Sequence, residues 1–378
     1  MSKKTDIIVI GAGVVGGAIA YYLSKMGKKV LVLEKDDIAA GASGANQGQI
    51  SITDREFGVE LDWSIESLKL YLEYEENGEF QTDFEKTGGL FLFYEEEDLQ
   101  KAELAMEGHL KQGLDIRFLR GEEIKQQEPL LNPKLVTGAI YSADEGRVNP
   151  LTITLGLMER AKNMGAELLT GVEVEDFVIK KAKITGVKTN KGTFSAEQVV
   201  VATGAWTREL TSKLGLDYKI FYNRANVMIT QAVPNCIRGP IVPGGFVTNS
   251  LTEDKWTLIG AIQHKNGTIG IGQDTIKFSD YNKGVAYEGV TTMAKIFTQH
   301  FPDLADIEIL RIWSAVTPYM EDNKPLFGYS ERYPNLFLAA GLKGAFTIAP
   351  AAGKTAAEII VTGKSKYDCA EYSPARFE

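Results

Sequence analysis

Asp6-Ile7-Ile8-Val9-Ile10-Gly11-Ala12-Gly13-Val14-Val15-Gly16 opens a segment that closes with Val30-Leu31-Val32-Leu33-Glu34. The apolar run before Gly11 reads as a buried parallel strand. A G-x-G-x-x-G turn follows, then an amphipathic helix stopped at Gly27, a second strand, and an acid at its end. Together these make a complete dinucleotide-binding unit. Gly11 lets the chain turn sharply out of the strand, and Gly13 lets the backbone approach a pyrophosphate. Gly16 lets the helix pack tightly on the sheet. The helix N-terminus, with Val14 and Val15 in its first turn, offers free N–H groups and partial positive charge to phosphates. Glu34, followed by Lys35, can accept hydrogen bonds from both ribose hydroxyls, and it would repel a 2′-phosphate. A bare glycine motif also fits a generic α/β turn; strand, helix, second strand and acid in register favour the nucleotide reading.

The chain has 378 residues, long enough for two domains and a large core. With 41 basic and 50 acidic residues the net charge is −9, which argues against general nucleic-acid binding. No stretch approaches the roughly 18 apolar residues of a membrane span. Met1-Ser2-Lys3-Lys4-Thr5 runs straight into the first strand with no signal-peptide cleavage pattern, so a cytoplasmic location is expected. Cys236 and Cys369 are isolated, as are His109, His264 and His300. No metal-ligand spacing occurs, and no metal is expected.

Beyond Glu34 the segment Ala39-Ala40-Gly41-Ala42-Ser43-Gly44-Ala45-Asn46-Gln47-Gly48 is rich in small residues, which let backbone approach something flat or charged; a plain loop is the alternative. A helix is expected over 62–77, a strand at Leu90–Tyr94 and a surface helix over 96–112. Asn149-Pro150 opens a further helix ended by Gly165, and an Ile179–Thr189 hairpin turns near Lys191-Gly192. Gln198–Ala202 reads as a strand, 217–316 mainly as antiparallel strands with one helix near 283–299, and Asn266-Gly267 as a hairpin turn. A last buried strand, 335–340, leads through a glycine turn into a closing helix near 349–362. The fold class is therefore α/β (α+β overall): a discontinuous Rossmann-like domain with an inserted antiparallel-sheet substrate domain. The expected division assigns 1–85, 145–215 and 318–378 to the first and 86–144 and 216–317 to the second.

Three later motifs resemble the FAD-dependent amino-acid oxidases and dehydrogenases, a group that includes glycine oxidase, sarcosine oxidase, D-amino-acid dehydrogenases and the flavin subunits of opine, proline and cyanide-forming dehydrogenases. They are Val201-Ala202-Thr203-Gly204-Ala205-Trp206; Arg311-Ile312-Trp313 through Pro318, Asp322 and Pro325-Leu326-Phe327-Gly328; and Ala340-Gly341-Leu342-Lys343-Gly344-Ala345-Phe346-Thr347 with the helix that follows. The ending Ser373-Pro374-Ala375-Arg376-Phe377 is also similar. The resemblance spans the whole chain and implies FAD rather than NAD. It implies that Ser43, Gly44, Asn46, Gln47 and Gly48 cradle the pyrophosphate, ribityl chain and flavin edge. Val174 would bring backbone to the adenine, and Ala202, Thr203, Gly204 and Trp206 would pass near the cofactor. Gly341 and Lys343 through Thr347 would face the pyrimidine end of the ring. Covalent attachment in the group uses Cys or His, and neither occurs at 43–48 or 311–318, so FAD is expected to be non-covalent.

The implied reaction moves a hydride from the α-carbon of a small amino or N-substituted amino acid to flavin N5, giving an imine, with no side-chain base required. Where the resemblance expects a carboxylate-binding arginine before Pro318, this chain has Thr317. Lys343, Arg55 and Arg224 are the candidate replacements, each with a purely structural charge as the alternative. Asp322 reads as a loop brace; Tyr222, Tyr319 and Trp313 are candidates for the pocket wall or for core. A flavin-dependent 2-hydroxy-acid dehydrogenase, or an electron-relay flavin subunit with partner chains, stays open as an alternative. So does the electron acceptor, whether oxygen, a quinone or a partner subunit.

Overall fold

In the computed structural model the described residues are 5–248, 251, 253–278 and 281–378. The opening strand Thr5–Ile10 pairs in parallel with Val30–Leu33 on one side and Gly192–Val201 on the other. Ile7 to Ile10 and all of Val30–Leu33 are buried, because helices and loops cover both faces. The sheet runs Leu326–Tyr329, Leu336–Ala340, Gly192–Val201, Thr5–Ile10, Val30–Leu33, Glu167–Leu169. All neighbours along it are parallel except the edge hairpin Leu326–Tyr329 with Leu336–Ala340.

Helix Val14–Lys25 was expected to be amphipathic, yet it is buried from Gly16 through Ser24. It lies between two other helices, Pro150–Asn163 and Ala345–Thr362. Gly17 meets Leu157 and Met158 on one side, and a Cβ on Gly353 would stand 2.5 Å from Ala18 Cβ on the other. A helix sandwiched this way keeps no polar stripe.

A second, mostly antiparallel sheet has the order Ile309–Met320, Ile220–Thr230, Ile269–Phe278, Lys255–Gln263, Ile241–Pro243, Gly89–Phe93, Gly138–Ser142, Ile116–Leu119. Strand Ile309–Met320 stays in this sheet through Pro318 to Met320, paired with Ile220–Thr230. Helix Tyr287–His300 covers the outer face, with Met293 and Phe297 in its core. Asp274 docks that helix: Oδ2 accepts from Asn226 Nδ2 at 2.7 Å and Oδ1 from Thr257 Oγ1 at 2.8 Å, while the carboxylate abuts the first helical turn at Gly289. A carboxylate there suits the positive end of the helix.

Four local expectations are revised. The surface helix over 96–112 is two helices, Glu96–Ala105 and Glu107–Lys111, joined at Met106. The Ile179–Thr189 hairpin is a three-stranded meander, Val174–Lys180, Lys183–Thr189 and Gly192–Val201, with its first turn at Lys181-Ala182 in positive φ. Neither residue is a usual turn former, so the sequence hid it. The helix near 283–299 spans Tyr287–His300. The closing helix begins at Ala345, not near 349, and carries Pro350 inside it. Proline has no N–H for the carbonyl of Phe346 four residues earlier. That carbonyl instead accepts from the buried Tyr71 hydroxyl at 2.5 Å.

A Cβ at Gly289 would sit 1.9 Å from Asp274 Oδ2. Gly289→Ala is therefore expected to cost about 3 kcal/mol of stability, read as a lowered denaturation midpoint; an unchanged midpoint would show that the helix docks otherwise.

Candidate active site

A cavity of about 360 Å³ runs from the carboxyl ends of the first sheet's parallel strands to the face of the second sheet. At one end lie Gly11, Gly13, Val14 and Val15 of the opening turn, with Glu34, Lys35 and Val174 beside them. Glu34 Oε2 accepts from Ala12 N at 2.8 Å and Oε1 from Asp36 N at 2.9 Å, which fixes the carboxylate and leaves lone pairs free. The Lys35 ammonium stands 3.9 Å over the centroid of the Trp206 ring, and both line the cavity. Ser43 and Asn46 line the middle, with Ala202, Thr203 and Gly204 opposite. Ser43 Oγ accepts from Val14 N at 3.0 Å, joining the small-residue loop to the helix start.

Gly16, Gly44, Gln47 and Gly48 do not line the cavity. Their roles are close approach and packing. Cβ atoms would stand 2.0 Å from Gly11 O at Gly16, 2.4 Å from Ala39 O at Gly44 and 2.1 Å from Val148 O at Gly48. The Gln47 amide instead lies on the second sheet, where Gly270 and Gly272 leave room for it.

The far end is built by the turn Gly341 to Gly344, by Ala345, Phe346 and Thr347 of the closing helix, and by residues 51–55. Arg55 is buried and spans the two: Nε donates to Ser51 O at 3.2 Å and Nη1 to Lys343 O at 2.7 Å. Thr347 Oγ1 accepts from Ser51 N at 3.0 Å. The Lys343 ammonium has no ion pair among the described residues and lies 5.5 Å from the centroid of the Phe246 ring. Burial pulls its pKa below the ordinary lysine range, opposed by the nearby charge of Asp54.

Arg224 is not brought to the cavity. On strand Ile220–Thr230 side chains alternate, so Asn223 and Ala225 face the cavity and Arg224 faces away, its guanidinium 4.6 Å over Phe278. Tyr222 shares that outer face and joins the core. Trp313 also lies outside the lining, donating Nε1–H to Ala45 O at 3.1 Å. Tyr319 and Thr317 do line the cavity. Burial raises the Tyr319 phenol above its ordinary range, partly offset by its bond with Asn223 and by the Arg55 charge. Asp322 braces a loop as expected, accepting from Arg376 Nε at 2.7 Å and Lys324 N at 3.1 Å.

Val242, Phe246, Trp256, Gln273 and Thr275 complete the second-sheet wall. No sequence motif marks them: Val242, Trp256, Gln273 and Thr275 meet through strand register, as where Trp256 pairs with Thr275, and Phe246 comes from the short helix Gly245–Thr248. Asp54 could have been found, since it directly precedes Arg55.

The sequence pattern of the FAD dependent oxidoreductase family matches residues 6–359. The chain belongs to that family. It is similar to the glycine oxidase of Geobacillus kaustophilus (strain HTA426), 26% identical over 390 residues, covering all of this chain and 98% of that one. It is similar to sarcosine oxidase subunit beta of Arthrobacter sp., 25% identical over 387 residues, covering 100% and 92%. Among solved structures, L-proline dehydrogenase from P. horikoshii superposes with a TM-score of 0.90 at 31% identity, covering 100% and 98%. FAD is therefore the cofactor, and the residues fit it. Gly13 keeps the pyrophosphate end open, because a Cβ there would crowd Ser43 Oγ at 3.0 Å. One buried polar atom on the cavity wall, Ser51 Oγ, has no hydrogen-bond partner among the described residues. A bare polar atom in such a wall marks a place built for a polar ligand. Among the described residues no helix is long and apolar enough to cross a membrane.

Glu145 supports this end from behind. Its Oε1 accepts from Ile52 N at 3.1 Å, Thr53 N at 3.0 Å and Thr53 Oγ1 at 2.7 Å, so it shapes the turn that presents Asp54 and Arg55. Complete burial pushes its pKa up to about 7. Below about pH 4.5 the acid is protonated folded or unfolded. Between about pH 4.5 and 7 the unfolded chain ionises this acid while the folded state keeps its proton, so stability falls by about 3 kcal/mol across that window and levels off above it. Glu145→Gln, an uncharged mimic of the protonated acid, is expected to remove that loss when unfolding free energies at pH 5 and pH 8 are compared. Glu128, pushed by burial to about 7, keeps its own share. An undiminished pH slope in the variant would assign the effect elsewhere.

Proposed function

We propose that this chain oxidises the CH–NH bond of a small amino acid, with a secondary amine of the proline or N-alkyl type as the preferred substrate. One observation carries the reading: the half-buried Lys343 ammonium, unmatched by any ion pair among the described residues, on a cavity wall that faces Phe246. A substrate carboxylate is the partner such a cation lacks. The likeness to an L-proline dehydrogenase at 31% identity supports a secondary amine.

Bound FAD supplies the two-electron acceptor for the hydride lost from the substrate α-carbon. Gly11, Gly13 and Glu34 would hold its ADP half, and Gly344 to Thr347 its ring end. Lys343 holds the carboxylate. Arg55 grips the Lys343 carbonyl and so keeps the ammonium in place. Val242, Phe246, Trp256, Ala225 and Ala315 exclude water from the carbon skeleton. Tyr319 lines the cavity and offers a hydroxyl to the amine or carboxylate. Thr317 has no charge to offer, which leaves the anchoring to Lys343.

In this reading 1–85, 145–215 and 318–378 hold the cofactor and 86–144 and 216–317 the substrate; the separate hydrogen bonding of the two large sheets supports the division except at 318–320, which pair within the second sheet. The flavin is held without a covalent bond, since no Cys or His lines the cavity among the described residues. Two free cysteines suit a cytoplasmic setting. The likeness to a subunit named beta leaves room for a partner chain as electron acceptor.

Anaerobic addition of proline, sarcosine, glycine or a D-amino acid is expected to bleach the flavin band near about 450 nm, fastest with a secondary amine. Bleaching by a 2-hydroxy acid and by none of the amines would replace this reading. Lys343→Met is expected to lower kcat/KM about 100-fold; unchanged kinetics would remove Lys343 as anchor. Acid precipitation is expected to release the yellow coenzyme into the supernatant, and colour left in the pellet would mean a covalent bond.

A further inference from the structure

Two charges flank Lys343 at the carboxylate end of the cavity, and their balance decides more than where one carboxylate binds. Asp54 lines the cavity with its side chain only 9% exposed, and Oδ1 lies 3.1 Å from Arg55 Nε. Oδ2 accepts from Nη2 at 3.4 Å. Glu60 approaches the same guanidinium, with Oε2 3.9 Å from Nη1. Other donors of Arg55 are spent on the carbonyls of Ser51 and Lys343. Arg55 is thus a cation already matched by two carboxylates, although it lies on the cavity wall. Lys343 is the cation left for a ligand. The remaining wall at this end, Val242, Phe246, Trp256 and Ala225, carries no charge.

A substrate with one carboxylate finds one open cation there. A second carboxylate would find no second cation. It would have to displace Asp54 from Arg55 or lie against apolar side chains, and both are costly in a dry site. Resting on the proposed amino-acid oxidation with Lys343 as its carboxylate anchor, we propose that Asp54 is a specificity-determining residue. It occupies Arg55 as an internal carboxylate, so that the cavity accepts monocarboxylic amino acids and rejects dicarboxylic ones. A residue that merely braced Arg55 would make the opposite prediction, since its loss would weaken the binding of every anion.

The test is a binding titration of the FAD-loaded enzyme with pyrrole-2-carboxylate and pyrrole-2,5-dicarboxylate, read from the perturbed flavin spectrum without turnover. The wild type is expected to bind the monocarboxylate at least about 10-fold more tightly than the dicarboxylate. Asp54→Asn is expected to tighten the dicarboxylate about 10-fold and bring the two affinities together. Asp54→Glu, which keeps the charge, is expected to hold the wild-type ratio. A ratio unchanged in Asp54→Asn, or both affinities weakened together, overturns the proposal. If Asp54→Asn fails to load FAD, Glu60→Gln relieves the second carboxylate on Arg55 and must narrow the ratio; an unmoved ratio there overturns the proposal equally. No binding of the monocarboxylate to the wild type overturns the proposed carboxylate anchor along with this one. A normal wild-type ratio that Asp54→Asn leaves untouched overturns the specificity role alone.

Discussion

The hydrogen bond from Arg55 Nη1 to the carbonyl of Lys343, 2.7 Å long, joins residues 288 apart in sequence and closes the far end of the cavity. Gly344, at φ +56°, has no Cβ, and one there would stand 2.2 Å from Arg55 Nη2. The guanidinium can therefore lie flat against the turn only because that residue is glycine. The same contact aims two different objects: the Lys343 side chain toward the second sheet, and the N-terminus of the closing helix toward the cavity. His109, on helix Glu107–Lys111, adds to it, with Nε2 3.1 Å from the Arg55 carbonyl.

The closing helix is held to this turn by a proline that interrupts its hydrogen bonding. Pro350 releases the Phe346 carbonyl, and Tyr71 takes it. Trp63 on the same long helix as Tyr71, Val59–Glu76, donates its indole N–H to Thr355 Oγ1 at 3.0 Å, and Ser67 Oγ accepts from Ala351 N at 3.1 Å. These three buried polar contacts, with the Lys354–Glu66 ion pair at 2.9 Å nearer the surface, set the rotation and depth of the helix as well as its burial. Its first turn consequently faces the cavity through Ala345, Phe346 and Thr347. Glu145 shapes the opposing turn in a similar way, through a buried carboxylate that collects three donors of residues 52 and 53.

How much of the site was legible follows from how local each part is. Gly11, Gly13, Glu34 and the loop around Ser43 lie within one βαβ unit and its continuation, so their spacing alone reports their meeting. Lys343 and Arg55 were legible as charges beside glycine-rich segments. That Arg55 is spent on a carbonyl and on Asp54, while Lys343 is open, was not, since it depends on a contact across nearly the whole chain. Arg224 shows the limit on a strand. One position decides which face a side chain takes, and the antiparallel pairing Asn223↔Thr317 and Ala225↔Ala315 put the even positions away from the cavity. The turn at Lys181-Ala182 was illegible for another reason: residues with little turn preference adopt positive φ because the strands on either side demand it.

By itself the sequence determined the nucleotide-binding half, because hydrophobic period, glycine geometry and a terminal acid act over thirty residues and need no partner elsewhere. It also determined the class of the fold, through α/β segments at the start, middle and end of the chain. Tertiary structure alone decided the substrate wall and its charge balance. Trp256, Thr275 and Tyr319 converge only after strand pairing sets their register, and Phe246 joins them from the short helix Gly245–Thr248. The availability of a cation in a dry cavity is a property of what surrounds it, and no run of neighbouring residues encodes that.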